Sequence, residues 1–287
     1  MYYKNPFNYI GAKYKLLPQI LPLFPDKIPI LFDLFGGGSG EVAFNAQADR
    51  VIYNEKNIPL VNIFNHLDDK FLDEVNAVIE HWKLTKTSKD EFLALREYYN
   101  NNLSSVCSRE SAVVLYCLLT HAFNYQIGFN SSGKYNMPSG AGRSYFSPQL
   151  KEKLAAYIER KSEMDISFLH KDFTDISIDS LPPASETFIY ADPPYLITVG
   201  AYERDYFCKW SEEYEKKLLE FLDELNDKGY KFALSNVLVH KGKVNTLLDD
   251  WSKKYNVHHL RMDYKNCNYQ TKDKTANSSD EVLITNY

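Results

Sequence analysis

Residues 30–40 read Ile30-Leu31-Phe32-Asp33-Leu34-Phe35-Gly36-Gly37-Gly38-Ser39-Gly40. A short apolar run that stops in a glycine cluster predicts a buried strand followed by a tight loop. Glu41-Val42-Ala43-Phe44-Asn45 predicts the opening of a helix, and Arg50-Val51-Ile52-Tyr53-Asn54-Glu55 a second strand. A strand, a glycine turn, a helix and a strand ending in an acid about 20 residues on make a βαβ unit, and hence an α/β fold.

The alternation resumes toward the other end. Strands are expected at Thr187–Ala191, Lys231–Leu234, Val257–Met262 and Glu281–Tyr287, with helices at Ser211–Lys228 and Asn245–Lys254 and a polar loop over 263–279. Residues 58–123 read as mainly helical, with Phe71–Trp82, Lys89–Tyr99 and Glu110–Phe123 as examples. The stretch Asn124–Ser147 is rich in Gly, Asn and Ser, and Gly128, Gly133, Pro138, Gly140 and Gly142 leave no room for a long regular element. Leu150–Lys161 returns to helix. The expectation is one α/β sheet built from 1–57 and 162–287, interrupted by a mainly helical domain over 58–161.

The chain has 287 residues, a net charge of −5, 44% hydrophobic and 25% charged residues, so its totals carry no basic signature of nucleic-acid binding. Local charge decides such binding, however. Residues 1–20 hold Lys4, Lys13 and Lys15 and no acid. Cys107, Cys117, Cys208 and Cys267 are scattered without metal spacing, and read as free thiols of a reducing cytosol. No metal site, signal peptide or membrane span is expected.

The glycine loop lets backbone approach a ligand and take positive φ. Glu55 stands where an acid accepts from a ribose hydroxyl pair. The loop is not GxGxxG and lacks the lysine of a phosphate-binding loop. It fits a nucleoside cofactor without a pyrophosphate, such as S-adenosylmethionine (SAM), or a tight turn that binds nothing.

A second stretch, Ala191-Asp192-Pro193-Pro194-Tyr195-Leu196-Ile197-Thr198, follows a buried apolar run. Proline lacks an N–H and fixes φ, so two in a row stop the strand and stiffen the turn after it. That turn holds a carboxylate and a ring at its tip. It is either a rigid surface turn or a fixed pair of hydrogen-bond acceptors beside an aromatic face.

In their order, these pieces resemble the Dam-like, D12 class DNA adenine-N6 methyltransferases of the α group. The resemblance runs through Pro6–Leu17, Asp33–Gly38, Glu55, Phe123-Asn124, Asn130–Pro138, Asp192–Tyr195, Leu234–Asn236 and Glu281–Tyr287. It implies a Rossmann-like SAM-dependent sheet with an inserted target-recognition domain. It implies catalysis by Asp192, Pro193, Pro194 and Tyr195. It implies a SAM pocket lined by Tyr9, Lys13, Phe35, Gly36, Gly37, Gly38, Glu55 and Asp192, and DNA contacts by Asn8, Asn124, Asn130, Lys134, Asn136 and Pro138. Duplex DNA is the expected partner, with the adenine flipped out of the helix. The expected setting is a bacterial or phage-infected cytoplasm, with an orphan or phage role or a restriction–modification pair and its cognate endonuclease. Methylation of RNA adenine or of cytosine N4, and a non-catalytic SAM- or DNA-binding role, are the alternatives. A nicotinamide dehydrogenase is disfavoured by the missing pyrophosphate fingerprint.

Members of the family that read GATC carry a lysine and an arginine as base contacts in the segments that match Asn8 and Gly128. Neither is present here, and bidentate reading of guanine needs such a side chain. The purified protein is therefore expected to methylate adenines outside GATC; equal methylation of GATC-containing duplexes overturns this.

Overall fold

The computed structural model describes residues 2–6, 11–37, 40–201, 210–261 and 279–287. The strands among them are β1 (Ile28–Asp33), β2 (Ala48–Asn54), β3 (Ile166–Leu169), β4 (Thr187–Ala191), β5 (Lys231–His240), β6 (Lys243–Val244), β7 (Asn256–Leu260) and β8 (Ser279–Thr285). They form one sheet in the order β3-β2-β1-β4-β5-β8-β7, with β6 folded back on β5. β1 to β5 pair in parallel, and β8 runs antiparallel between β5 and β7.

The helices are α1 (Leu17–Ile20), α2 (Glu41–Asn45), α3 (Ile58–His66), α4 (Phe71–His81), α5 (Lys89–Tyr98), α6 (Arg109–His121), α7 (Pro148–Ser162), α8 (Glu212–Asp227) and α9 (Thr246–Ser252). Side chains alternate across a strand, so the central strands feed two cores. Leu31, Val51, Phe188 and Tyr190 join one apolar cluster with α2, α3, α6 and α7. Phe32, Ile52, Ile189 and Phe232 join the other with α8 and α9. This two-sided burial explains why β4 reads as an unbroken apolar run. In α6, every residue from Ser111 to His121 is buried, so it is the central helix around which α3, α4 and α5 pack.

The helix starts follow local chemistry. Side-chain oxygens of Asn57, Ser108, Ser147, Ser211 and Asn245 accept the N–H three residues on, opening α3, α6, α7, α8 and α9.

Most expected elements stand within a residue or two of their places. Three differ. β3 is a half-buried sheet-edge strand with no strong apolar pattern. β5 runs on past Leu234 to His240, because pairing with β8 continues there. The closing strand is Ser279–Thr285, set by its register against β5 and β7. No described helix is long and apolar enough to cross a membrane, and no group of three His, Cys, Asp or Glu among the described residues could hold a metal. Cys107 and Cys117 are free thiols, the latter buried, while Cys208 and Cys267 lie outside the described residues.

The glycine loop is pressed onto β2. A Cβ on Gly36 would lie 2.3 Å from Cζ of Tyr53, a fully buried ring whose hydroxyl donates to the Gly37 carbonyl. Gly36→Ala is expected to cost about 1–3 kcal/mol in urea unfolding, the usual penalty of overpacking. Tyr53→Leu in the same background should recover part of that loss, and additive costs in the double variant would show that the ring does not set the penalty.

Candidate active site

The parallel strands bring their carboxyl ends to one edge. From β1 the chain passes to β2 on one side, while β4 and β5 lie on the other, so the sheet order reverses between β1 and β4. Open α/β sheets bind ligands in the crevice at such a reversal. Asp33 ends β1 and pairs with Tyr190, which places Asp192 just beyond the end of β4 beside it.

Asp33 is 2% exposed, and its Oδ1 has no hydrogen-bond partner among the described residues. Burial pushes its pKa well above the usual carboxylate range, and the nearby Asp192 charge adds to the shift, while the Phe35 N–H opposes it. A buried carboxylate oxygen with no partner is costly and calls for a donor or cation from outside the chain. The loop after it is held by Asn54. Its Nδ2 donates to the carbonyls of Leu34 and Lys171, each at 3.0 Å, and its Oδ1 accepts the Lys171 N–H at 3.0 Å. Gly36 N–H donates to the Asn54 carbonyl at 2.8 Å, and Gly37 takes φ 65°. Phe35 packs against Phe173 and Trp210 at ring separations of 5.4 and 5.7 Å. Glu55 follows β2; its N–H donates to the Leu169 carbonyl at 3.1 Å and its Oε1 accepts the Asn57 N–H at 2.7 Å.

Lys13 closes the other side. Its Nζ lies 2.6 Å from Asp192 Oδ2, donates to the Gly11 carbonyl at 2.8 Å, and sits 5.1 Å from the centre of the Tyr195 ring. Tyr195 donates its hydroxyl to Asp192 Oδ1 at 3.1 Å. The two charged side chains are only 7% and 18% exposed. Burial raises the Asp192 pKa; the Lys13 ammonium works against this and favours the ionised form. Behind the turn, Tyr190 and Ser235 join hydroxyls at 2.8 Å, so the strands under Asp192 are bonded through side chains as well as backbone. Pro193 is buried and Pro194 half-buried, so the turn is packed as well as stiff.

The remaining predicted residues stand on a hairpin that leaves α6. It is closed by antiparallel bridges Ala122–Ser139 and Phe129–Tyr135. Asn124 and Tyr125 both take positive φ, 53° and 57°. The Asn130 side chain accepts the N–H groups of Ser132 and Lys134, each at 3.0 Å, and shapes the tip. Asn100 meets both the N–H and the carbonyl of Tyr135 at 2.9 Å, as a neighbouring strand would, and Arg96 donates to the Met137 carbonyl at 2.8 Å. Asn124, Lys134, Asn136 and Pro138 are exposed on this braced frame.

Thus Lys13, Asp192 and Tyr195 are in contact, Phe35, Gly36, Gly37 and Glu55 follow the carboxyl ends of the neighbouring strands β1 and β2, and Asn124, Asn130, Lys134, Asn136 and Pro138 stand on the hairpin. Tyr9, Asn8 and Gly38 lie outside the described residues. Sequence reasoning passed over Asp33 as a site residue, although an acid closing a buried strand before a glycine loop is a readable signal.

The profile of a family described as D12 class N6 adenine-specific DNA methyltransferase matches residues 9–266. Over its full length the chain is 44% identical to the type II methyltransferase M.FokI of Planomicrobium okeanokoites and 41% identical to the modification methylase StsI of Streptococcus sanguinis. It spans 43% of the length of each of these two relatives. A DNA adenine methylase of Haemophilus influenzae is 26% identical over 67% of this chain and 64% of its own.

The raised pKa of Asp33 sets a pH dependence. A carboxylate whose folded pKa lies above its unfolded value favours folding below the unfolded pKa, and that contribution is lost as pH rises through the folded pKa. Asp33→Asn removes the unpaired charge, so it should raise the melting temperature near neutral pH by about 2–4 °C, the shift that about 1 kcal/mol makes in a chain this long. The gain should shrink as pH falls toward about 4, the unfolded Asp value, and vanish well below it, where Asp33 is neutral in both states. A gain that does not change with pH would refute this account.

Proposed function

The chain belongs to the D12 class N6 adenine-specific DNA methyltransferases, and from that premise we propose that it moves a methyl group from SAM to N6 of an adenine in duplex DNA. The observation that carries this reading is the pairing of two strand ends: a carboxylate held by Lys13 on a rigid turn at Asp192, beside the buried carboxylate of Asp33, whose Oδ1 has no hydrogen-bond partner among the described residues. We read residues 1–57 and 162–287 as the catalytic part and 58–161 as the part that reads the target.

The side chains suit SAM as the methyl donor. Asp33 offers the free acceptor that the ammonium of its methionine portion needs. Glu55 offers a carboxylate at the end of β2 for the ribose hydroxyls, and Phe35 an apolar wall. Gly37, at φ 65°, leaves the loop without a side chain where backbone must come close, while Gly36 lets the loop lie against the Tyr53 ring. When bound, SAM supplies a methyl group on a positively charged sulfur.

The chain's task is to make a poor nucleophile react. The exocyclic amine of adenine shares its lone pair with the ring. Asp192 and the carbonyl of Pro193 can each accept a hydrogen bond from one of its two N–H groups, which favours a more tetrahedral nitrogen with a localised lone pair; the nitrogen gives up one proton for the methyl it gains. The prolines hold these acceptors before substrate arrives, so little reorganisation remains. The Lys13 ammonium, 2.6 Å from Oδ2, favours the ionised form of Asp192 against its burial. A carboxylate oxygen accepts more than one hydrogen bond, so Oδ1 can hold Tyr195 and still receive the amine. The Tyr195 ring offers a stacking face for a flipped base.

The hairpin at 122–139, with its exposed Asn124, Lys134 and Asn136, is our candidate for reading bases. In the other half of the sheet, Lys216, Lys217, Lys228, Lys253 and Lys254 are already engaged by neighbouring acids. They are poorer candidates for phosphate contacts. Two of the relatives carry the name modification methylase, which supports a restriction–modification setting.

The reading is tested by supplying labelled SAM and unmethylated duplex DNA of mixed sequence, then digesting the DNA to nucleosides. N6-methyladenine is expected from the wild type, and a fall of at least about 100-fold from Asp192→Asn, the scale on which losing a preorganised transition-state group is felt. Methylated RNA but no methylated DNA, or no product despite SAM binding, would overturn it.

A further inference from the structure

Glu215 lies in the first turn of α8 and is fully buried. Three neutral donors converge on its carboxylate. Trp210 Nε1 donates to Oε2 at 2.6 Å, and Nδ2 of Asn236 and of Asn245 donate to Oε1 at 3.1 and 3.2 Å. Neither amide can turn around. Asn236 Oδ1 already accepts the Val237 N–H, and Asn245 Oδ1 caps α9 at the Leu248 N–H. Both NH2 groups must therefore find an acceptor at Glu215.

Such a cluster is a poor way to gain stability, since apolar residues of like volume usually do as well. Burial also pushes the Glu215 pKa up. What the carboxylate does achieve is alignment of three elements that meet near the crevice. Asn236 lies on β5 two residues past Leu234, the partner of Ala191, and so runs alongside the catalytic turn. Trp210 packs edge-on against Phe35, at an interplanar angle of 81°, and against Phe173 at 5.8 Å. Phe35 immediately precedes Gly36 in the glycine loop. An indole that were free to rotate would leave Phe35 without its wall.

The geometry points to Glu215 as a positioning residue that fixes the Phe35 side of the cofactor pocket through Trp210. This rests on the proposed SAM site. It yields a specific asymmetry. Glu215→Gln keeps the shape but replaces one acceptor oxygen with a donor. The variant does best by turning its carbonyl to the two asparagines, which leaves its NH2 facing the indole N–H. The hydrogen bond from Trp210 is therefore the one that breaks. Trp210→Phe removes the opposing donor and keeps a ring against Phe35.

The test is calorimetric titration of the full chain with S-adenosylhomocysteine, without DNA or turnover, alongside KM for SAM and kcat on DNA. Glu215→Gln is expected to weaken binding about tenfold, on the scale of leaving a buried donor without its acceptor. KM should rise in step while kcat at saturating SAM holds. Trp210→Phe alone should weaken binding by a smaller factor. The double variant should bind better than Glu215→Gln alone. Wild-type affinity in Glu215→Gln, or a double variant that shows the full sum of both losses, would overturn the proposal. If Glu215→Gln does not fold, Trp210→Phe decides it: unchanged affinity and unchanged KM overturn it. A wild-type chain that binds no S-adenosylhomocysteine would instead overturn the cofactor site on which the proposal rests.

Discussion

A lysine thirteen residues into the chain reaches the carboxylate at the end of β4, and the rest of the site is arranged around that ion pair. Lys13 and Asp192 are both largely withdrawn from water, where a lone charge is costly. Together they tie the amino-terminal segment to the catalytic turn. They also bring Asp192 close to Asp33, a second buried carboxylate. Burial raises the pKa of both acids, and the Lys13 ammonium works against that at each. A cationic group placed beside them would favour the ionised form of both.

Much of this was legible in the sequence. The run Ile30–Phe35 and its glycines marked β1 and its loop, because buried parallel strands are apolar on both faces. Asp192-Pro193-Pro194-Tyr195 marked the end of β4, because two prolines leave few alternatives. Lys13 was legible only through resemblance, since nothing in residues 11–15 separates it from a surface lysine. What stayed hidden depends on tertiary placement. Glu215 sits among charged residues in Glu212–Lys217, and its burial arises only because Trp210, Asn236 and Asn245 close over it. β3 stayed hidden because a half-buried edge strand of four residues carries too little pattern.

The hairpin over 122–139 shows a different economy. Its residues have no sheet to join, so side chains supply the missing partners. Asn100 bonds Tyr135 on both backbone groups, and Gly140 lies so close to the Ala122 carbonyl that a Cβ there would come within 2.6 Å. The frame is tight, while Lys134 and Asn136 between its ties are exposed.

The position of β8 has a consequence for how the molecule is made. This strand comes after β7 in the chain yet lies between β7 and β5. While residues 279–285 are still being synthesised, β5 has an open edge and β7 has no neighbour in the sheet. An open edge beside a finished core is a template for pairing with another chain. Completion of the sheet by a late, non-local strand is also slow relative to helix formation. The nascent protein thus passes through an interval in which its helical insert and cofactor loop are assembled but its sheet is unfinished. During that interval it depends on prompt arrival of β8 to avoid joining its neighbours.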